Sequence, residues 1–164
     1  MIRAEFLQAA LKARATKRPA TRHRLQSETL HGLTFSAAFD GGNLASVEAR
    51  SADEFTLHVR ADAEGTQYAT RSRTWFCFSI RGAATGRTLH LEVRMSNQAK
   101  LFGHDHRPCY RSLPSRPRWE RLPTATPCIV DGATTDSFAI QITHTVDTPS
   151  TDTLFFGFCF PHGY

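Results

Sequence analysis

From about residue 33 to its end, this chain alternates apolar and polar side chains with a period of two, which leaves few folds open. Phe55, Leu57 and Val59 alternate with Thr56, His58 and Arg60; Leu89, Leu91, Val93 and Met95 with His90, Glu92 and Arg94; Phe138, Ile140 and Ile142 with Ala139, Gln141 and Thr143. Leu154, Phe156, Phe158 and Phe160 form another set in one phase. Each run predicts a strand with one face in a core. The run Trp75-Phe76-Cys77-Phe78-Ser79-Ile80 is apolar in both phases and predicts a central strand covered on both sides. Asp40-Gly41-Gly42-Asn43 predicts a tight hairpin, because its glycines tolerate positive φ. Glycine-containing turns at 62–65 and 82–86 close further runs. With shorter candidates at 33–39, 44–50 and 118–122, the expected fold is an all-β, antiparallel β-sandwich of about eight to nine strands. No helices alternate with the strands, which excludes a parallel α/β sheet.

Residues 96–135 break the rhythm. They hold five of the eight prolines and read as a long functional or packed connection between strands. At the other end, Ile2, Phe6, Ala9, Ala10 and Ala13 recur at helical spacing, so a short basic helix is expected over 3–16, or else a disordered arm. The expected organisation is an arm and linker over 1–30 followed by the sandwich over 31–164.

Charge follows the same division. The chain of 164 residues has a net charge of +5, but seven basic side chains against the single acid Glu5 lie in residues 1–24. The remainder holds 13 of the 20 basic and 14 of the 15 acidic side chains, so the sandwich itself is nearly neutral. A nucleic-acid-binding domain spreads its basic surface over the fold that reads the ligand, so nucleic acid is not an expected partner. No apolar run approaches the roughly 18 residues of a membrane-spanning helix, so no membrane partner is expected either. The arm is poor in acids and rich in Arg and Ala, which leaves mitochondrial targeting by residues 1–24 as a minor alternative to a cytoplasmic location. The four cysteines form no C-x-x-C pair and follow no secretory h-region; they read as reduced thiols, with Cys77 and Cys159 as small core residues.

Little in the sequence points to catalysis. His104-Asp105-His106 offers two imidazoles, but no third ligand is fixed by spacing, so a polar turn is the better reading. No H-x-x-E or H-E-x-x-H spacing occurs; His144-x-x-Asp147 lies on a strand run, where i and i+3 point to opposite faces. No nucleophile elbow, Walker loop or dinucleotide fingerprint occurs. The sequence therefore gives no catalytic residue and no metal ligand. One segment stands out. Arg111, Arg116, Arg118, Trp119 and Arg121 combine forked cations with a planar ring, a pattern suited to an acidic peptide. The alternative is that Trp119 plugs the sandwich while the arginines are solvated or paired internally.

Five pieces in order resemble the N-terminal domain of the cytosolic carboxypeptidase family. Phe35-Ser36-Ala37-Ala38-Phe39-Asp40-Gly41-Gly42-Asn43-Leu44 resembles that family's opening F-x-S-x-F-E/D-x-G-N-L. Arg73-Thr74-Trp75-Phe76-Cys77-Phe78 is similar to its Q/R-x-W-F-Y-F. Asn97, Lys100, Leu101-Phe102 and Pro108-Cys109-Tyr110 follow the order of its N-x-x-K, L-Y and P-x-x-Y-S elements. Trp119-Glu120-Arg121 matches W-x-R, and the stretch from Phe155 through Pro161 to Tyr164 resembles the closing Y-F-A-x-x-Y-P-Y-T/S-Y. On this resemblance Phe39, Gly42, Asn43, Trp75, Phe76, Asn97, Pro108, Trp119, Arg121, Pro161 and Tyr164 are family-motif positions with structural roles. The sequence departs from the pattern at Gly41, at Pro123 and at His162-Gly163, as a divergent member would.

The resemblance implies a non-catalytic accessory domain that packs on a carboxypeptidase catalytic domain in cis and borders its substrate groove. The parent enzyme would be a zinc hydrolase removing glutamates from tubulin and other acidic tails, cytoplasmic and microtubule-associated. Its zinc would be bound downstream, by an H-x-x-E pair and a later His, so no cofactor is expected in this chain. A stand-alone binding module for acidic peptides is the alternative. An apolar docking patch is expected to be exposed when the chain is on its own.

Overall fold

The computed structural model describes residues 24–96, 106–129 and 138–161. Among them are eleven strands. In chain order these are β1 (Glu28–Leu30), β2 (Leu33–Ser36), β3 (Ser46–Ala49), β4 (Glu54–His58), β5 (Cys77–Arg81), β6 (Thr88–Met95), β7 (Cys109–Leu113), β8 (Arg116–Arg121), β9 (Thr126–Ile129), β10 (Phe138–Thr145) and β11 (Thr153–Gly157). They form a six-stranded sheet ordered β1-β2-β5-β11-β7-β8 and a five-stranded sheet ordered β3-β4-β6-β10-β9. Among the described residues no helix is long and apolar enough to cross a membrane.

The core lies between the two sheets, and the period-two pattern supplies it. Phe35 of β2, Phe78 and Ile80 of β5, and Leu154 and Phe156 of β11 point inward from one sheet; all are buried. Phe55 and Leu57 of β4, Leu89, Leu91, Val93 and Met95 of β6, and Phe138, Ile140 and Ile142 of β10 meet them from the other. The ring of Phe35 lies 4.9 Å from that of Phe55, and His144 of β10 meets Phe156 edge-on at 5.4 Å, so the sheets interlock through aromatic contacts. Burying each such side chain contributes about 2–3 kcal/mol relative to leaving it in water. The longest ladder, β6 with β10, pairs eight residues from Thr88↔Thr145 to Met95↔Phe138.

The sandwich differs from the sequence expectation in strand count and in one pairing. β4 and β6 pair in parallel, because β5 between them crosses to the other sheet. The additional strands lie mostly in the proline-rich stretch, where the sequence shows only 118–122. Pro117 and Pro127 fall in β8 and β9, the edge strands of their sheets, where a missing N–H breaks no inner ladder. Residues 24–30, expected as linker, are part of the body: Leu25 N–H donates to Leu44 O at 2.8 Å, and β1 pairs with β2. The helix expected over 3–16 lies outside the described residues.

The turn at Asp40–Asn43 joins no hairpin. Gly41 takes φ 73° and Gly42 N–H bonds Phe39 O at 3.0 Å, so the chain does turn tightly. Yet β2 ends at Ser36, and Asn43 bridges to Cys77 and donates its Nδ2–H to Trp75 O at 2.8 Å. The turn therefore carries the chain from one sheet to the other. Its backbone passes so close to Ala37 that a Cβ on Gly42 would lie 2.1 Å from Ala37 O. Cys159 and Phe160 also depart from the expected strand: β11 stops at Gly157, and both residues are exposed.

A buried polar knot holds the lower corner. Asp152 accepts from Ser112 Oγ at 2.8 Å, from Ser115 N at 3.1 Å and from Ser115 Oγ at 3.1 Å. Thr148 Oγ1 lies 3.0 Å from Ser112 Oγ. Burial alone raises the Asp152 carboxyl, but these donors outweigh it and hold its pKa below the ordinary 3.8. His144 is shifted down from 6.5, chiefly by burial, with Arg116 lowering it further and Asp147 partly opposing.

Two predictions follow from these contacts. Gly42→Ala destabilises the sandwich by about 2–4 kcal/mol in urea unfolding, because backbone rather than a pliable side chain must move. The unfolded chain protonates His144 near pH 6.5 while the folded chain resists, so stability falls as the pH drops below 6.5. The Asp152 contribution is intact above 3.8 and is lost as the pH falls through its lower folded pKa. Thermal unfolding across pH 3–8 is expected to show both falls, with Asp152→Asn removing the more acidic one.

Candidate functional site

The outer faces of the two sheets differ in chemistry. On the five-stranded sheet a groove of about 260 Å³ is lined by Arg50, Glu54, His90, Glu92, Gln141 and Thr143 among others. Its arginine is paired: Glu92 Oε1 accepts from Arg50 at 2.8 Å and from Arg94 at 2.6 Å, and His90 Nδ1 lies 3.3 Å from Thr143 Oγ1, while Glu54 is exposed. That face is polar.

The outer face of the six-stranded sheet is aromatic. β11 pairs with β5 and β7, which places Phe155 beside Ser79 and Arg111, with Gly157 between Cys77 and Cys109. Phe155 occupies the phase opposite to Leu154 and Phe156, so it points away from the core. Phe39 meets its ring edge-on at 5.3 Å. The Arg111 guanidinium lies 4.7 Å from the Trp119 ring and 5.0 Å from the Phe155 ring, held between the two. Each such contact contributes about 0.5–2 kcal/mol, more as water is excluded. Arg111 Nε is buried and has no hydrogen-bond acceptor among the described residues. Along the same face Arg121 covers Phe160 at 4.8 Å and donates to Arg107 O at 2.6 Å.

Gly157 permits this arrangement. A Cβ there would lie 3.1 Å from Cys159 O, 3.7 Å from Trp119 Cη2 and 3.8 Å from Cys77 Sγ. The chain leaving β11 thus folds back over the sheet, and Trp119 reaches across it. Trp75, two residues before Cys77, is 38% exposed, and Phe160 is 43% exposed.

The five residues expected to grip an acidic peptide do not form one surface. Arg111, Trp119 and Arg121 share the aromatic face. Arg116 is committed elsewhere: it donates to Tyr110 Oη at 3.3 Å and pairs with Asp147 Oδ2 at 2.6 Å, and both contacts raise its pKa. Arg118 is exposed on the edge strand. Among the family-motif positions, Phe39, Trp119 and Arg121 belong to the face. Gly42 and Asn43 build the inter-sheet turn, and Phe76 is fully buried. Pro108 accepts from Leu122 N at 2.8 Å, and Pro161 is exposed at the end of the described chain. Asn97 and Tyr164 lie outside the described residues. Phe155 and Phe160 were not singled out as site residues from the sequence; a large apolar residue in the solvent phase of β11 was the signal for Phe155.

The thiols on this face are not set up as nucleophiles or ligands. Burial pushes the Cys77 pKa up to about 12, only partly offset by Arg111, and burial raises that of Cys109 as well. His106 is shifted down by burial and by the nearby Arg121, and its ring stacks on Phe158 at 4.6 Å. His104 and Asp105 lie outside the described residues. Among the described residues no three His, Cys, Asp or Glu side chains are grouped to hold a metal.

The family profile and the sequence relatives agree on one family. The profile of the cytosolic carboxypeptidase N-terminal domain matches residues 35–156. Cytosolic carboxypeptidase-like protein 5 of Rattus norvegicus is 35% identical over 161 residues, covering 81% of this chain and 19% of that protein. Cytosolic carboxypeptidase 6 of Mus musculus is 35% identical over 92 residues, covering 56% of this chain and 16% of that protein. A metallo-carboxypeptidase from Pseudomonas aeruginosa, solved in complex with (2-guanidinoethylmercapto)succinic acid, aligns with 74% of this chain and 28% of its own at 19% identity and a TM-score of 0.46. The chain spans about a fifth of the length of these cytosolic carboxypeptidase-like relatives. With a profile match running from β2 into β11 and relatives 35% identical over most of the chain, the chain belongs to the cytosolic carboxypeptidase family through its N-terminal domain.

Proposed function

We propose that this chain acts as a non-catalytic accessory domain of a cytosolic metallocarboxypeptidase, packing on the peptidase domain and bordering its substrate groove. The observation that carries this reading is the match to the family's N-terminal domain, in a region that makes up about a fifth of each close relative. In such an arrangement the sandwich supplies a rigid wall. Its core fixes the backbone, and its outer surface meets the neighbouring domain.

The parent's substrate class on this reading is the acidic tail, including glutamylated tubulin, and its location is the cytoplasm, on microtubules. The side chains described here do not fit the zinc of such an enzyme. The two buried thiols on the face stay protonated at neutral pH, and Arg111 and Arg121 bear on them electrostatically. A metal would therefore be held by residues of the peptidase domain, where it would polarise the scissile carbonyl and activate water.

A second reading, a free-standing module for acidic peptides, draws on Arg111 and Arg121. Arg116, neutralised by Asp147, contributes little to it.

Reading the coding sequence beyond the Tyr164 codon tests the proposal directly. An open frame encoding an H-x-x-E pair and a later zinc-ligand His is expected. The purified long protein should then release glutamate from a polyglutamate peptide and lose that activity on chelation. A stop codon after Tyr164, together with polyglutamate binding by the chain itself, would instead establish the second reading.

A further inference from the structure

Resting on the accessory-domain reading, we propose that the outer face of the six-stranded sheet is the surface that receives the peptidase domain, with a carboxylate of that domain seated against Arg111. Three observations point there. Large aromatic side chains gather on this face or at its end: Phe39, Phe155 and Trp119 are half-buried, while Trp75 and Phe160 are exposed. Aromatic rings and arginine are the residues that dominate the centres of protein interfaces.

Arg111 identifies the chemistry of the occupant. Its guanidinium is fixed between two rings, and its buried Nε has no acceptor among the described residues. The residue is only half-buried, so a carboxylate docking on the accessible part of its guanidinium would supply the counter-charge that the described residues do not. Arg121, laid on Phe160, adds a second cation along the same face. The partner surface is therefore apolar with carboxylates opposite the two arginines. The third observation is contrast: on the five-stranded sheet, Arg50 and Arg94 are already paired with Glu92.

The occupant is the rest of the parent enzyme rather than a second copy. About four-fifths of each close relative lies outside the matched region, whereas a second copy would set Arg111 and Arg121 of one chain against an equally basic face.

Hydroxyl-radical footprinting, read by mass spectrometry, tests this on the chain of residues 1–164 and on the long protein. Trp75, Trp119 and Phe160 are expected to react in the chain alone and to lose that reactivity in the long protein. Tyr68, 74% exposed on the loop between β4 and β5, should react in both. In the long protein, Arg111→Gln is expected to restore the reactivity of Trp119, with the buried Phe78 reporting that the fold persists. If Phe78 becomes reactive, Trp75→Ser takes its place, with Trp119 again expected to regain reactivity. Unchanged protection of Trp119 in the folded variant would refute the role of Arg111. Protection of His90 instead of the aromatic face would overturn the assignment of the face and leave the accessory reading standing. No change on either face would overturn both. Protection of the chain alone, either growing with its concentration or produced by a polyglutamate peptide, would name a second copy or a peptide as the occupant and overturn the proposal.

Discussion

The two phases of β11 hold this molecule together and give it its working surface. Leu154 and Phe156 enter the core, where Phe156 stacks on Phe78 at 5.5 Å and meets His144 edge-on. Phe155, between them, faces outward and seats the Arg111 guanidinium. Because β11 pairs on both sides, with β5 and with β7, a slip of one residue would drive Leu154 and Phe156 into water and Phe155 into the core. The inner contacts therefore fix the register, and the register presents the outer face. Gly157 completes the arrangement by letting the returning chain and Trp119 lie close over the strand.

Electrostatics sort the rest of the surface. Arg116 binds Asp147 and the Tyr110 hydroxyl on the edge of the sandwich, Arg87 pairs with Asp53 at 2.7 Å, and Glu92 lies between Arg50 and Arg94. Such exposed or half-exposed pairs contribute little to stability individually. Arg111 differs from these arginines: it is pressed between aromatic rings and its buried Nε has no acceptor among the described residues. Burial keeps the Cys77 and Cys109 thiols protonated on this face.

Much of this was legible in the sequence where one phase is consistently apolar. β6 and β10 each alternate over eight residues, and β4 and β5 carry runs that only a strand explains. β7 was hidden because its core position Ser112 is polar, made acceptable by Asp152 and Thr148, which lie far away in the chain. β8 was only partly visible and β9 not at all, since edge strands tolerate prolines and charges in both phases. The parallel pairing of β4 with β6 is a property of the crossing chain, which local alternation does not encode. For the candidate site, the cation-rich segment announced Arg111, Trp119 and Arg121, but the capture of Arg116 by Asp147 depends on tertiary contact.

The docked arrangement is tested most directly by an experimental structure of the long protein. It should show the peptidase domain covering Trp119 and Phe155, with a carboxylate oxygen of that domain within hydrogen-bond distance of the Arg111 guanidinium, about 2.7–2.9 Å. A structure in which the outer face of the six-stranded sheet lies open to solvent, with the peptidase domain seated elsewhere, would contradict it.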